Sequence, residues 1–453
     1  FKYMYGEGNS SDPYLIDSCE NLQRIKDYGL NYDYKLVKDI SCSNTSNWNL
    51  DDGSCFENPD RSSCEIDDNC AHWYGDYCAV FTSSSCMDNK SACESCSLVW
   101  NEIDDVCMNI SDYCMASSSN CTSGSCGPNM AWNNFGSEQT CWPQQGFIPI
   151  GDSSTPFNGS LNGDEHIISN IYINRDRDVY VGLFGGLSSN SNISRVGLEN
   201  ISVTGVNYIG GLSGYNKGLI DLSFVKGNII CSFDSNDNGA WSSDAYVGGL
   251  VGINYPNGEI SNSYVVGSVV SNDGNYAGGL TGDNAETILD SYTNVNVSGN
   301  TDVGGFAGGV SGGNVSNCFS VGNVSGSGSV GGFVGTASNY IFNAYYDNYT
   351  SNQNSCGTSN CTSIDSSALS GYWFDSDNSP MNLWDFSSSG WFELSGDYSI
   401  SFWESGLFGL NIVSPLNQDY KINNLSINVS SEVNSSYCKY SIDSWNTNAS
   451  LIK

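Results

Sequence analysis

Apolar residues return in two short clusters, again and again, across the middle of the chain. The first cluster is an apolar residue, two glycines, a large apolar residue and a further glycine. It reads Val181-Gly182-Leu183-Phe184-Gly185, then Ile209-Gly210-Gly211-Leu212-Ser213-Gly214 and Val247-Gly248-Gly249-Leu250-Val251-Gly252. It continues as Ala277-Gly278-Gly279-Leu280-Thr281-Gly282, Val303-Gly304-Gly305-Phe306-Ala307-Gly308 and Val330-Gly331-Gly332-Phe333-Val334-Gly335. Successive copies stand 26–30 residues apart, with one interval stretched to 38. The second cluster begins at Ile193, Ile220, Ile260, Ile288, Val315 and Ile341. Three residues on comes a small residue in five copies: Ser223, Ser263, Ser291, Cys318 and Ala344, with Val196 in the first. The next column is aromatic in the same five: Phe224, Tyr264, Tyr292, Phe319 and Tyr345.

The period and the residue types predict an all-β fold. Each unit holds two or three short strands of β-branched and aromatic residues, separated by Gly and Asn turns. One unit cannot bury its apolar face alone, whereas stacked units share a continuous core and line up like residues in ladders. No 3.6-residue period marks an amphipathic helix in this region. A β-propeller is the rival, but its repeats run to about 40 residues. The shorter period favours a β-solenoid, with Cys318 a buried residue of the small column. One short helix is expected near the start, with Ser18 as N-cap and Leu22, Ile25 and Tyr28 on one face. It would cover the open end of the stack.

Charge narrows the partners. Only 14 % of the 453 residues are charged, yet the net charge is −34. An acidic, cation-poor surface excludes nucleic acid and anionic membrane as partners. No run of apolar residues is long enough to span a bilayer. Phe1 is compatible with prior removal of a signal peptide. The densest charged cluster, Arg175-Asp176-Arg177-Asp178, reads as a solvated turn.

The 19 cysteines point to an oxidising compartment. Twelve fall in residues 51–142: Cys55, Cys64, Cys70, Cys78, Cys86, Cys93, Cys96, Cys107, Cys114, Cys121, Cys126 and Cys141. A loose sub-repeat runs through them as Cys70-Trp73-Cys78, Cys96-Trp100-Cys107 and Cys126-Trp132-Cys141. Such loop-rich modules bury too little apolar surface to fold without disulfides. Their connectivity is not legible in sequence. The stretch reads either as a protruding binding head or as a stabilising knob. Cys93 and Cys96 form a lone C-x-x-C without zinc spacing. Cys356 and Cys361 are close enough to close a short loop. N-x-S/T sequons add a secreted signature. The glycosylation candidates are Asn44, Asn109, Asn158, Asn192, Asn200, Asn296, Asn314, Asn323, Asn348, Asn424, Asn428 and Asn434.

The stretched repeat contains Asp234, Asn236 and Asn238 before Gly239, with Asp244 close behind. This is half of a Ca²⁺ loop, and the terminal bidentate Glu is missing. A solvated turn insertion is the simpler reading. Calcium is the one cofactor the sequence suggests.

Taken together, V-G-G-L-V-G followed by I-S-N-S-Y-V-V-G-S-V resembles the GLUG repeat of bacterial and archaeal surface proteins. The opening, Asp12-Pro13-Tyr14-Leu15-Ile16 and Cys19 through Ile25, resembles the leader that precedes such arrays; it continues at Tyr34–Ile40, resumes at Phe147–Gly151 and ends at Ile167–Ile173. Cys19 and Cys42 flank its helix and are paired on that reading. Asp397–Trp403 resembles the aromatic ending of such arrays. The resemblance covers 1–50 and 143–403 and implies a right-handed parallel β-helix on an exported adhesin or surface-layer protein. It carries no catalytic residues. Residues 411–453, with alternation at Leu425–Val429 and then Cys438, resemble the first strands of an immunoglobulin-like module. They are too short for a sandwich, so the chain is expected to continue past Lys453 or to complete a neighbour by strand addition.

Three functions follow. The first is a structural or adhesive surface protein that assembles with itself into a filament or layer. The second is a polysaccharide-active enzyme, which needs clustered carboxylates that the repeat columns do not show. The third is a binding head at 51–142 for a surface glycan or host protein, with Trp73 and Tyr74 as stacking residues. A Ser/His/Asp hydrolase has little support, since His72 and His166 stand near no nucleophile motif. The first reading, extracellular and non-catalytic, fits the most residues.

Overall fold

The computed structural model describes residues 4–48, 145–176, 178–232, 245–272, 274–338, 340–357, 360–386, 390–394 and 396–401. It also gives the backbone of six short strands between 72 and 143 and of four between 411 and 451.

The repeats coil into a parallel β-solenoid of about six turns. Each turn sends one strand to each of two six-stranded sheets. The second cluster supplies the strands of a third, longer sheet. Pairing between turns is parallel and in register: Phe224 faces Tyr264, Tyr264 faces Tyr292, Tyr292 faces Phe319, and Phe319 faces Tyr345. Turn-to-turn parallel pairing is incompatible with the radial blades of a propeller.

The first cluster makes the corner between the two six-stranded sheets. Val247 and Leu250 point inward and are fully buried, as are their counterparts in neighbouring turns. The glycines between and after them are steric necessities. A Cβ on Gly249 would lie 2.2 Å from the Gly279 carbonyl oxygen of the next turn. One on Gly252 would lie 2.5 Å from the Gly214 carbonyl oxygen of the previous turn. Only a residue without Cβ lets the backbones approach this closely.

The second cluster has its own logic. Ile193, Ile220, Ile260, Ile288 and Val315 point inward and are fully buried. Two residues later the chain bends in the left-handed region, at Asn262 (φ 47°), Asp290 (φ 46°) and Asn317 (φ 55°). Asn and Asp tolerate that conformation best among residues with side chains. The small column follows and forms a ladder inside the wall. Ser223 N–H donates to Ser263 Oγ, and Ser263 N–H to Ser291 Oγ, both at 3.2 Å. Each hydroxyl donates back to the carbonyl two residues earlier, 2.9 Å for Ser223 and 2.7 Å for Ser263. Cys318 continues the column, its thiol donating to the Ser316 carbonyl at 3.1 Å. Burial pushes that thiol's pKa well up. Cys318 is therefore a buried, inert member of the column.

A second polar ladder runs through the interior. Asn216 Nδ2 donates to Asn254 Oδ1 at 2.9 Å, and Asn254 Nδ2 to Asn284 Oδ1 at 2.8 Å. All three side chains are fully buried. Stacked amides satisfy one another only if the register is kept, so the ladder fixes register as well as stability.

The leader joins the stack as additional rungs. Tyr14–Ile16 pairs with Asp33–Leu36, which pairs with Ser160–Asn162, which pairs with Asn192–Ser194. Between the first two strands the expected helix forms as two pieces, Cys19–Gln23 and Ile25–Tyr28. Ser18 caps the first, accepting from Asn21 N–H at 3.3 Å. Leu22 and Ile25 are fully buried in the core. Gln23 clamps the helix to the backbone of Ile148, donating at 2.8 Å and accepting at 2.7 Å. Disulfides join Cys19 to Cys42 and Cys356 to Cys361.

Replacing Asn254 by Ala removes one buried hydrogen bond each from Asn216 and Asn284, which keep only the bonds of their own turns. The expected cost is about 1–3 kcal/mol in urea unfolding, with an unchanged slope. A loss below about 0.5 kcal/mol would show that the ladder is dispensable.

Candidate functional site

Two aromatic files stand on the outside of the coil. The first is the aromatic column of the second cluster. Phe224 and Tyr264 stack with ring centroids 5.0 Å apart, Tyr264 and Tyr292 at 5.0 Å, and Tyr292 and Phe319 at 4.9 Å. These rings belong to a cluster separate from the main core. Strand alternation explains the split: Val225 points in, so Phe224 points out. The file is nevertheless buried, because Trp373, Trp384, Trp391 and Tyr398 fold back over it as a strap. Trp373 stacks on Phe319 at 4.7 Å, Trp384 on Phe319 at 5.6 Å, and Trp391 packs against Tyr292 at 5.7 Å. Trp384 Nε1 donates to the Asn317 carbonyl at 2.8 Å, tying the strap to the left-handed bend. Tyr398, in the aromatic ending, closes the strap against Tyr292 at 6.1 Å.

The second file is open. Tyr180, Tyr208, Tyr246 and Tyr276 immediately precede the inward residue of the first cluster in four consecutive turns. Their rings stack at 4.7, 5.2 and 4.8 Å and stay half-exposed. Tyr180 and Tyr208 have φ of 62° and 51°, a conformation costly for a bulky residue. Across the corner, Tyr215 meets Tyr180 edge-on at 5.4 Å, and Tyr255 meets Tyr215 at 5.9 Å. The Lys217 ammonium sits 5.6 Å from the Tyr215 ring and 5.3 Å from the Tyr255 ring. Burial, then neighbouring phenols, push the pKa values of Tyr180 and Tyr255 up. This wall offers hydroxyls and ring edges at the spacing of the turns. The Tyr that precedes the first cluster in four of its six copies is a signal legible in the sequence.

Arg175 overturns one expectation. The cluster from Arg175 to Asp178 is not wholly a solvated turn, because the Arg175 side chain is buried. Its Nη2 donates to the Phe147 carbonyl at 3.4 Å, beneath the point where the chain re-enters the stack after 51–142. Burial pushes its pKa down to about 10, with Asp178 opposing the shift. Asp176 is exposed and Asp178 half-buried.

The other candidates fall into three groups. Asn44, Asn192, Asn200, Asn296, Asn314 and Asn323 are exposed, while Asn158 and Asn348 are half-buried. Asn109, Asn424 and Asn434, the Ca²⁺ candidates Asp234, Asn236, Asn238 and Asp244, and the twelve cysteines of 51–142 lie outside the residues whose side chains are described; so does the Asn428 side chain. Within 51–142, backbone pairing gives three hairpins. They place Trp73 opposite Cys78, Trp100 opposite Cys107, and Trp132 opposite Cys141, one per sub-repeat. After 411, Asn411–Ser414 pairs with Asn428–Ser430 and Cys438–Ser441 with Asn448–Leu451, both antiparallel. Among the described residues no three His, Cys, Asp or Glu side chains converge to hold a metal ion. His166 instead faces Asp39 at 3.3 Å. No helix of the described residues is long and apolar enough to cross a membrane.

Fold and outer wall define a parallel β-solenoid protein with aromatic ladders, and the two disulfides among the described residues fit an oxidising compartment. Residues 243–270 match the GLUG motif. Halomucin of Haloquadratum walsbyi is 38 % identical over 139 residues, which are 31 % of this chain and 1 % of that protein. A Gly-rich membrane protein of Evansella cellulosilytica is 37 % identical over 84 residues, 18 % of this chain and 10 % of that protein. The chain thus spans a small fraction of the relatives it matches. Among solved structures, a Bacteroides ovatus protein described as an immunoglobulin A1 protease aligns over 88 % of this chain and 94 % of its own, at 17 % identity and a TM-score of 0.44. A likeness at that level carries neither fold nor activity across.

The buried phenols set the alkaline limit of the fold. Tyr398 is pushed up to about 12 by burial, then by Asp347 and Asp397. Burial raises Tyr34, Tyr180, Tyr215 and Tyr292 as well. Raised phenols favour the neutral form in the folded state. Their contribution is therefore complete below the ordinary value of 10 and lost as pH climbs through 12. Circular dichroism against pH is expected to stay flat to about 10 and then fall cooperatively with phenolate absorbance. Phenolate absorbance that rises in full near pH 10, with unchanged dichroism, would contradict this packing. Trp384→Ala is expected to cost about 3–5 kcal/mol and to expose the first file, read as increased binding of a hydrophobic dye.

Proposed function

We propose that this chain is a structural or adhesive component of an extracellular surface. The solenoid is a stiff spacer that associates with further copies of itself, and residues 51–142 form its contact head. The observation that carries the reading is the unbroken register of the side-chain ladders. Serine, asparagine and aromatic columns each run through successive turns, which stiffens the coil along its axis. The winding is taken as right-handed, the usual sense for crossovers between parallel strands. The antiparallel strand pairs after 411 are taken as the beginning of an immunoglobulin-like module. The exposed sequons and the similarity to halomucin support an extracellular setting.

We read the solenoid as non-catalytic. The carboxylates that burial pushes upward, Asp283 and Asp290, are tied to Ser311 and Asn317 rather than set against each other as an acid–base pair.

Trp48 and Gly146, which flank the cysteine-rich stretch, are joined by a backbone hydrogen bond of 2.9 Å. A short linker can therefore replace 51–142 without disturbing the rungs. On intact cells, an impermeant amine reagent is expected to label the native chain. Replacing 51–142 is expected to lower attachment about tenfold with an unchanged unfolding midpoint. Sugar released from a glycan panel would identify an enzyme instead, and undiminished attachment would remove the contact head.

A further inference from the structure

One column of the outer wall carries more aromatic surface than the fold requires. The residues just before the inward positions of the first cluster are Tyr180, Tyr208, Tyr246, Tyr276, Asp302 and Ser329. Asp302 pairs in register with Tyr276 and with Ser329, so the sheet holds without a tyrosine at this position. Tyr180 and Tyr208 also keep left-handed φ values of 62° and 51°, which a bulky residue adopts at a cost. Pairing of the coil therefore does not account for four consecutive tyrosines, two of them strained.

Ring geometry decides what the column can recognise. The four rings stack nearly parallel, with interplanar angles of 11°, 18° and 5°. The faces between them meet each other, so the half-exposed file presents ring edges and phenol groups, one per turn along the coil axis. Tyr215 is buried and braces Tyr180 edge-on at 5.4 Å. Gly186 makes room for it, since a Cβ there would lie 2.1 Å from the Tyr215 ring. Half-exposed Tyr255 adds a phenol beside the row. A phenol hydroxyl both donates and accepts, so the row suits a partner that is itself covered with hydroxyls. A peptide strand would need a sheet edge instead, and the strands of Tyr208, Tyr246 and Tyr276 are paired on both sides. Charge narrows the class further. A net charge of −34 repels a polyanion, which leaves a neutral polyhydroxylated chain. Spacing narrows it again: in an extended chain of equatorially linked pyranoses one sugar spans about 5 Å, close to the separation of paired strands.

We propose that Tyr180, Tyr208, Tyr246 and Tyr276, with Tyr255 beside them, form a binding surface for an extended neutral polysaccharide laid along the coil axis, one sugar to a turn. Each turn offers the same contact, so affinity grows with the number of sugars engaged. The row stops where the column changes to Asp302, so the gain levels off at about four sugars. The surface uses no residue of 51–142. It goes beyond the contact head placed there, and the two fail or stand separately.

Titration calorimetry of the full-length chain tests this with cellohexaose, mannohexaose and xylohexaose, and with hexagalacturonate as the acidic probe. At least one neutral hexaose is expected to bind, about tenfold or more tighter than its own disaccharide. Tyr208→Phe with Tyr246→Phe keeps the stack and removes two hydroxyls. It is expected to weaken binding about tenfold with an unchanged unfolding midpoint. Tyr208→Ser with Tyr246→Ser, the residue the column already carries at Ser329, is expected to weaken it further. If the Ser variant alters the far-ultraviolet dichroism, the Phe variant decides alone. A neutral hexaose that binds the Phe variant as well as the native chain would overturn the proposal, because recognition would not run through the phenols. So would a panel in which no neutral hexaose binds, or in which hexagalacturonate binds best. Attachment lost on replacing 51–142 would bear on the contact head and not on this surface.

Discussion

Every turn of this protein must lie on the next at the separation of paired strands, about 4.8 Å. That constraint governs the rest of the structure. At that distance each side chain stands directly over its counterpart, so chemistry that suits one turn must suit all of them. Isoleucine sits on isoleucine inside the wall, serine on serine within it, and tyrosine on tyrosine outside. The polar ladders are the sharpest case. Asn254 accepts from Asn216 on one side and donates to Asn284 on the other, besides donating to the Gly258 carbonyl of its own turn. A slip of one residue would break the amide-to-amide bonds and leave each side chain with only the bonds of its own turn.

The same constraint explains how much of the fold was legible. A one-dimensional stack writes its period directly into the chain, so the turns, the inward columns and the place of Cys318 followed from alignment alone. The aromatic file was visible as a file, but its side of the wall was not. Only strand alternation between Val225 and Phe224 decides it, and the cover comes from Trp373, Trp384 and Trp391, residues with no place in the repeat. A strap that packs once leaves no period to detect. Arg175 was misread for a related reason: four alternating charges look like a solvated turn, and nothing local says that the chain returns over them at Phe147.

The insertion shows the opposite balance. Its cysteines and tryptophans gave a sub-repeat without a structure, and backbone pairing then placed each tryptophan opposite the second cysteine of its own unit. Pairing across a hairpin is local in sequence, which is why even a weak motif located it. The glycosylation candidates and the partial calcium loop rest on residue type and spacing alone. A sequon requires only three residues and an exposed turn, so composition alone produces it.

Two neighbouring columns of the same strands say where a function can reside. The inward column reads Ile193, Ile220, Ile260, Ile288, Val315 and Ile341. The outward column beside it reads Asn192, Leu219, Glu259, Thr287, Asn314 and Tyr340. Packing holds the first nearly constant, because any change in volume is felt by the turns above and below. Solvent sets no such demand on the second. Its variation is the freedom the fold leaves for recognition, and it turns aromatic at Tyr340. In a solenoid the walls repeat and the ends do not.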